Sequence, residues 1–265
     1  MIVEQHYLSC LSQASYLLVD ETSKVAAVVD PRRDVELYLV WGRIRFSLYA
    51  VAVAEGKDEE TLDGMWSGTR ECFQLALQLL YGTSDWKRQA LAHEQLGHLH
   101  GWKEELEEAS AAYSTSLGMD PDVADPAQVS RFLGSQHFLA CIEEALVQFR
   151  GRFGEEDPRA ATLLWWQGHA QENLGELEAA IASYEHAGEL WPDYRDTWFH
   201  RFRCLLELGR TAEAAGALAR LRELDSPLLG QLVLADEELL VRVRARAAEH
   251  PEDADLARIV ELLGG

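Results

Sequence analysis

The feature that most limits this chain is a spacing of 34 residues. Pro158 and Pro192, Gly175 and Gly209, and Ala180 and Ala214 each stand 34 positions apart. A period of that size means a stacked array, because each short unit leaves an apolar face that only a neighbour can cover. The clearest unit runs through Leu164-Trp165-Trp166-Gln167-Gly168, Asn173-Leu174-Gly175, Ala180, Tyr184, Ala187 and Pro192. The next unit keeps Trp198, Gly209 and Ala214, places Leu218 at the aromatic position and closes at Ser226-Pro227. Upstream, Leu96-Gly97, Ala109, Tyr113 and Pro121 fit the same register, with His100 at a position that favours tyrosine. A degenerate unit between them holds Leu133-Gly134 and Pro158, has Leu146 in place of a small residue, and follows its predecessor by 37 residues.

These positions resemble the tetratricopeptide repeat (TPR), whose pattern is W-x2-LG-x2-Y, then A-x3-F/Y and a closing Pro. The resemblance covers about residues 83–226, an array of about four units. It implies two antiparallel helices per unit and a mainly α chain, a TPR-type α-α superhelix. In such a pair, small residues at Gly168 and Ala180 let the helices approach closely, and Tyr184 and Tyr113 fill the space left over. Gly175 and Gly209 suit a left-handed cap after the first helix of each unit. Asp157-Pro158 and Ser226-Pro227 are N-cap and first-turn proline signals. From Pro227 onward, Leu228, Leu229, Leu232 and Val233, then Asp236 as a new N-cap, then Leu239, Leu240 and Val243, continue a helical pattern. Leu256, Ile259, Val260 and Leu262 supply one more helix, so residues 227–265 read as capping helices. Arg242, Arg244 and Arg246 read as a solvated helix face.

Residues 1–34 have a different character. Ile2-Val3, Tyr16-Leu17-Leu18-Val19 and Val25-Ala26-Ala27-Val28-Val29 are short apolar segments. Asp20-Glu21-Thr22-Ser23 separates the last two, which predicts a short N-terminal β-hairpin or meander. The string QASYLLVDETSKVAAVVDPRRDVELYL resembles the start of metallo-β-lactamase-fold persulfide dioxygenases. There the strands open a sandwich, and Asp30-Pro31-x-Arg33-Asp34 leads into the first helix. That match spans residues 1–39. The family's T-H-x-H-x-D-H metal motif has no counterpart, since residues 50–59 read AVAVAEGKDE without histidine. The resemblance thus implies, as the alternative to a repeat scaffold, a metallo-β-lactamase-fold hydrolase or persulfide dioxygenase relative, or a remnant of one fused to a repeat protein, and no metal ligands are assigned.

Residues 35–82 form a divergent helical pair in this reading. Leu37, Trp41, Ile44, Leu48 and Val51 recur as an i, i+4, i+7, i+11, i+14 stripe, although Ile44, Phe46 and Leu48 also alternate as a strand would. Length and alanine content favour the helix, and its apolar surface is expected to lie under the N-terminal strands. Phe73, Leu75, Leu77, Leu79 and Leu80 suggest a second helix ending at Gly82. The near-continuous apolar run, Phe46 to Ala54, is too short to span a bilayer.

Composition narrows the function classes. With 24 Lys+Arg against 45 Asp+Glu the formal charge is −21, a sign that repels nucleic acid and anionic membranes. Cys10, Cys72, Cys141 and Cys204 are scattered without a CxxC, as reduced buried thiols would be, and a cytoplasmic chain is expected. His98 and His100 lie about 200° apart on a helix, so they cannot share a metal. No phosphate loop and no nucleophile elbow occur.

The TPR resemblance therefore implies a non-catalytic scaffold with no cofactor, binding a protein or peptide in a concave groove lined by the first helix of each pair. Its register places Glu94, His98, Arg131, Ser135, Trp165, His169, Glu172, Phe199 and Arg203 in that groove. One TPR subset grips acidic chaperone tails with Lys and Asn, but those positions here hold Glu94, His98, Trp166 and Asp196, which argues against that mode. The acidic convex side suits a basic partner.

Overall fold

The computed structural model describes residues 2–8, 13–20, 25–29, 35–224 and 237–264, with backbone alone for the first three segments. These three are antiparallel strands, β1 (Ile2–Leu8), β2 (Gln13–Asp20) and β3 (Val25–Val29), in the sheet order β1-β2-β3. Gln5 stands opposite Tyr16, and Leu18 opposite Ala27. Cys10, the turn at residues 21–23, the lead-in at residues 30–34, and residues 226–236 with their apolar run lie outside the described residues. Every described element after β3 is a helix. The second sheet of a metallo-β-lactamase sandwich is therefore lacking among the described residues, and the resemblance of residues 1–39 does not extend to that fold.

The chain divides into two compact units, Met1–Gln95 and Leu96–Gly265. In the first, α1 (Val35–Ala54) packs on α2 (Glu59–Leu80). The alternation at Ile44, Phe46 and Leu48 thus belongs to a helix. Leu39, Gly42, Tyr49 and Ala52 form the buried face of α1, and Gly42 lets the Phe73 ring lie against its backbone. Asp58 starts α2 by accepting from the Thr61 N–H at 2.9 Å, with Glu59 and Glu60 at the positive helix end.

The predicted apolar stripe is real but faces the other way. Trp41, Ile44, Leu48 and Val51 are 54–56% exposed, so none of them lies under cover. The buried set falls on the opposite side of the helix. The apolar run Phe46 to Ala54 is only the second half of α1, since Arg43 and Arg45 lie within the helix without ending it. By length and composition alone, Val35–Ala54 is long and apolar enough to cross a membrane.

α3 (Trp86–Gly101) carries the boundary between the two units. In the second unit follow α4 (Leu106–Met119), α5 (Pro126–Phe153), α6 (Ala160–Asn173), α7 (Leu177–Leu190), α8 (Arg195–Glu207) and α9 (Thr211–Leu224), then α10 (Glu237–Glu249) and α11 (Ala254–Gly264). From α4 to α9 each helix packs on the next, and α9 and α10 both pack on α11. This is one-dimensional stacking, as repeats with one apolar face require. Gly175 and Gly209 adopt φ of +79° and +77° at the turns inside the α6–α7 and α8–α9 pairs. The last apolar face is closed by Leu239, Val243, Leu256, Ile259 and Leu263, which join one core with Leu205 and Leu218.

In the degenerate unit two helical segments meet at a kink with no loop between them. α5 runs as one long segment broken only at Gly134, where φ is +71° and ψ +162°. Leu133-Gly134, read as part of a first helix, is instead a kink. Leu146 is buried where a second helix would need a small residue for close crossing. The start of α5 was available in the sequence, since Asp125 accepts from the Ala127 N–H at 3.0 Å and Pro126 occupies the first turn.

Candidate peptide-binding surface

The candidate site is built on α6 and α8, the first helices of consecutive pairs, which touch each other. One repeat separates Trp165 from Phe199 and His169 from Arg203, so the stacking of the pairs brings equivalent positions together. Trp165 stacks on His169 with ring centroids 5.7 Å apart and an interplanar angle of 30°. It meets His200 edge-on at 5.3 Å, and Tyr194 closes the cluster at 6.1 Å. The Arg203 guanidinium lies 5.9 Å from the centre of the Phe199 ring. Such aromatic–aromatic and cation–π contacts add to burial and hold flat surfaces in place.

Glu172 ties this surface to the helix behind it. Its Oε2 accepts from the Tyr184 hydroxyl of α7 at 2.9 Å and from His200 Nδ1 at 3.0 Å. Its Oε1 lies 3.5 Å from Arg203 Nη2. Burial pushes the Glu172 carboxyl up, but the His200 hydrogen bond and charge, the Tyr184 hydroxyl and Arg203 together outweigh it. The group is held below the ordinary glutamate range. An ionised carboxylate only accepts, so the hydrogen on His200 resides on Nδ1.

His169 has the opposite environment. Burial first, then the charges of His200 and Arg203, push its pKa down against the pull of Glu172. Asn173 Nδ2 donates to its Nδ1 at 3.2 Å, which suits a neutral ring carrying its hydrogen on Nε2. The Trp165 indole Nε1 is buried and has no hydrogen-bond partner among the described residues. Trp166 meets Trp165 edge-on at 4.5 Å and His169 at 5.5 Å, and on its other side reaches Phe138 at 6.0 Å beside the core formed by α4, α5 and α6. The tandem tryptophans thus join the surface cluster to that core.

The other sequence-assigned groove residues are not part of this cluster. Glu94 and His98 are both 8% exposed. His98 Nδ1 is 2.6 Å from the Tyr113 hydroxyl, so its imidazole satisfies a buried phenol. His100, expected in the core, sits nearer the surface with Nδ1 2.7 Å from Glu105 Oε2. Arg131 is exposed and Ser135 half-buried, on opposite sides of the Gly134 kink. His200 and Tyr184 complete the site and were missed as site residues. His200 stands one repeat after Trp166, so the same register that found Phe199 could have found it.

Other nucleophile and metal readings find no support among the described residues. Burial pushes the thiols of Cys141 and Cys204 up to about 12, where they are unreactive. The described residues contain no group of three potential metal-ligating side chains.

A tetratricopeptide-repeat family model matches residues 161–194, the span of the Trp165–Tyr184 unit. The chain therefore contains a tetratricopeptide repeat. An uncharacterized protein of Methanocaldococcus jannaschii is 31% identical over 84 residues, which is 32% of this chain and 98% of that protein. Among solved structures, YrrB, described as a TPR protein with an unusual peptide-binding site, is 14% identical with a TM-score of 0.40, covering 78% of this chain and 93% of that one. PilF of Pseudomonas aeruginosa is also 14% identical with a TM-score of 0.41, covering 86% of this chain and 98% of that one. The TPR unit matched by the family model contributes Trp165, His169 and Glu172 to the cluster, and the following unit contributes Phe199 and Arg203.

Proposed function

We propose that this TPR protein is a non-catalytic scaffold that holds an extended protein segment against the α6–α8 surface. The observation that carries this reading is the convergence of Trp165 and His169 with Phe199 and Arg203, their equivalents in the next unit, around Glu172. Repetition of a side-chain position along a stack is what an extended peptide can follow, one anchor per repeat. Each residue has a separate part in the reading. Trp165 offers a broad apolar face, neutral His169 a donor, and Arg203 a cation for an acidic side chain. Glu172 orients His200 and Arg203 while staying bonded within the fold.

Capture from a native extract with the intact chain as bait tests the reading. Trp165→Ala combined with Arg203→Glu should lose the captured partner while keeping the helical circular-dichroism signal. Equal capture by the folded double variant would contradict it.

A further inference from the structure

Between α7 and α8 the chain turns through Trp191-Pro192-Asp193-Tyr194, and this turn is fixed at both ends. The Trp191 N–H closes α7 on the Ala187 carbonyl at 2.9 Å, and the Tyr194 N–H donates to the Trp191 carbonyl at 3.0 Å. Proline in second place presets such a turn, and the Trp198 indole of α8 donates to the Pro192 carbonyl at 3.0 Å. The Trp191 ring stacks on the Tyr194 ring, with centroids 5.1 Å apart and an interplanar angle of 17°. It nevertheless stays 44% exposed. Tyr194 in turn reaches Trp165 at 6.1 Å, so a row of rings leads from the α6–α8 surface out to Trp191.

The charges around this turn are mostly acidic. Residues 189–196 carry Glu189, Asp193 and Asp196 against Arg195, and Asp193 meets Arg220 of α9 only at 3.5 Å. Asp196 is exposed in the first turn of α8. Burial raises the Tyr194 hydroxyl, and the charges of Asp196 and of Asp122, from the turn before α5, raise it further. Both carboxylates therefore stand close to the stacked pair. An aromatic face beside carboxylates selects a cation. A guanidinium is flat enough to lie on an indole and forked enough to meet a carboxylate at its edge.

The fold builds that arrangement twice within itself. Arg201 lies 5.8 Å from the centre of the Trp198 ring and donates to Glu185 at 2.9 Å. Arg159 lies 4.4 Å from the centre of the Phe153 ring and donates to Asp157 at 2.8 Å. At Trp191 the ring and the carboxylates are present, and none of the described residues supplies the guanidinium.

We propose that the Trp191–Tyr194 stack is a docking platform for an arginine side chain of the bound partner, held on the indole face with Asp196 at its edge. The proposal rests on the groove reading for the peptide that carries the arginine, and it adds a basic anchor outside the Trp165–Arg203 cluster. The net charge of −21 draws such a cation toward the molecule.

The test uses three blocked pentapeptides, acetyl-Gly-Ser-Arg-Ser-Gly-amide and the same sequence with citrulline or lysine in the middle. Citrulline keeps the shape of arginine and removes its charge. Each is titrated into the intact, isotope-labelled chain while the tryptophan indole N–H signals are followed. The arginine peptide should shift the Trp191 signal saturably and leave Trp86 and Trp102, which are exposed elsewhere, unmoved. The citrulline peptide should bind at least about fivefold more weakly, the factor that about 1 kcal/mol of cation–π and ion-pair attraction gives. Lysine should also bind less tightly than arginine. Trp191→Leu, read from the Tyr194 and Asp196 amides, should lose a similar factor, and Asp196→Asn at least about twofold. Glu252→Gln, an exposed carboxylate between α10 and α11, should change nothing. Asp196→Asn decides the matter if Trp191→Leu loses its helical signal.

No saturable shift at Trp191, equal binding of the citrulline peptide, tighter binding of the lysine peptide, or equal shifts at all exposed indoles would each overturn the proposal. So would unchanged affinity in Asp196→Asn. The groove reading has its own test. Partner capture lost in the Trp165→Ala and Arg203→Glu double variant, with Trp191 unresponsive to arginine, would retain the groove and remove this anchor.

Discussion

Tyr184 occupies the space that a side chain at Gly168 would need: a Cβ there would lie 2.6 Å from the tyrosine Cε1. The same ring then sends its hydroxyl to Glu172. One contact therefore sets both the spacing of α6 and α7 and the position of the carboxylate behind the binding surface. Tyr113 and Gly97 repeat the first half of this relationship, since a methyl group added at Gly97 would lie 2.7 Å from the ring.

Gly168→Ala and Gly97→Ala should each destabilise by about 1–3 kcal/mol, the usual cost of overpacking. Ala180→Leu, at a position with no exposure, belongs to the same group. Gly216→Ala provides the opposite sign. Nothing lies within 4 Å of its added Cβ, and replacing an exposed helical glycine stabilises by about 0.5–1 kcal/mol. Urea denaturation of the four variants checks all of these, and a Gly168→Ala protein as stable as the parent would show that the crossing is not tight.

The 34-residue register made the α6–α7 and α8–α9 pairs readable, because their small and aromatic positions answer to one local crossing. At α5 two helical segments join directly at Gly134, without the separate turn that divides the other pairs. Spacing records that glycine and proline recur, but it does not say which glycine reverses the chain. The candidate surface was legible only as repeat positions. Trp165, His169, Glu172 and Arg203 follow from position within a repeat, whereas Glu94, His98 and Phe199 occupy such positions and are buried. Their burial depends on packing that no repeat pattern encodes. The bond from Arg246 to the Leu206 carbonyl was invisible for the same reason, since it depends on how the last helices fold back, whereas Arg242 and Arg244 stay exposed as the sequence suggested.

Gly134→Ala should cost about 1–3 kcal/mol, because its φ of +71° and ψ of +162° lie where only glycine is comfortable. The loss should be visible as a lower urea midpoint. No loss would mean that α5 tolerates a straight course through this point.

The histidine and carboxylate at the surface give a signed pH dependence. His169 is depressed in the folded chain, so the unfolded chain binds the proton first as pH falls below the ordinary 6.5. Stability therefore rises with pH from the folded value up to that point and is flat above it. Glu172 is also depressed, so its contribution is present above the ordinary 4.5 and is lost as pH falls through it toward the folded value. Urea midpoints of the parent should climb with pH below 6.5 more steeply than those of His169→Gln. Identical slopes would contradict the buried, neutral state of His169.

Tyr184→Phe should destabilise by about 1 kcal/mol through loss of its hydrogen bond to Glu172. It should also move the Glu172 carboxyl upward, shifting the acid limb of the stability profile to higher pH. An unmoved acid limb would separate the tyrosine from the carboxylate.

Hydrogen exchange of the chain with and without its captured partner tests most directly whether the first helices of the pairs hold the peptide. Protection should concentrate in α6 and α8, around Trp165–Glu172 and Phe199–Arg203, with α7 and α9 little changed. Protection confined to α7 and α9 would place the partner on the second helices and contradict the assignment of this surface.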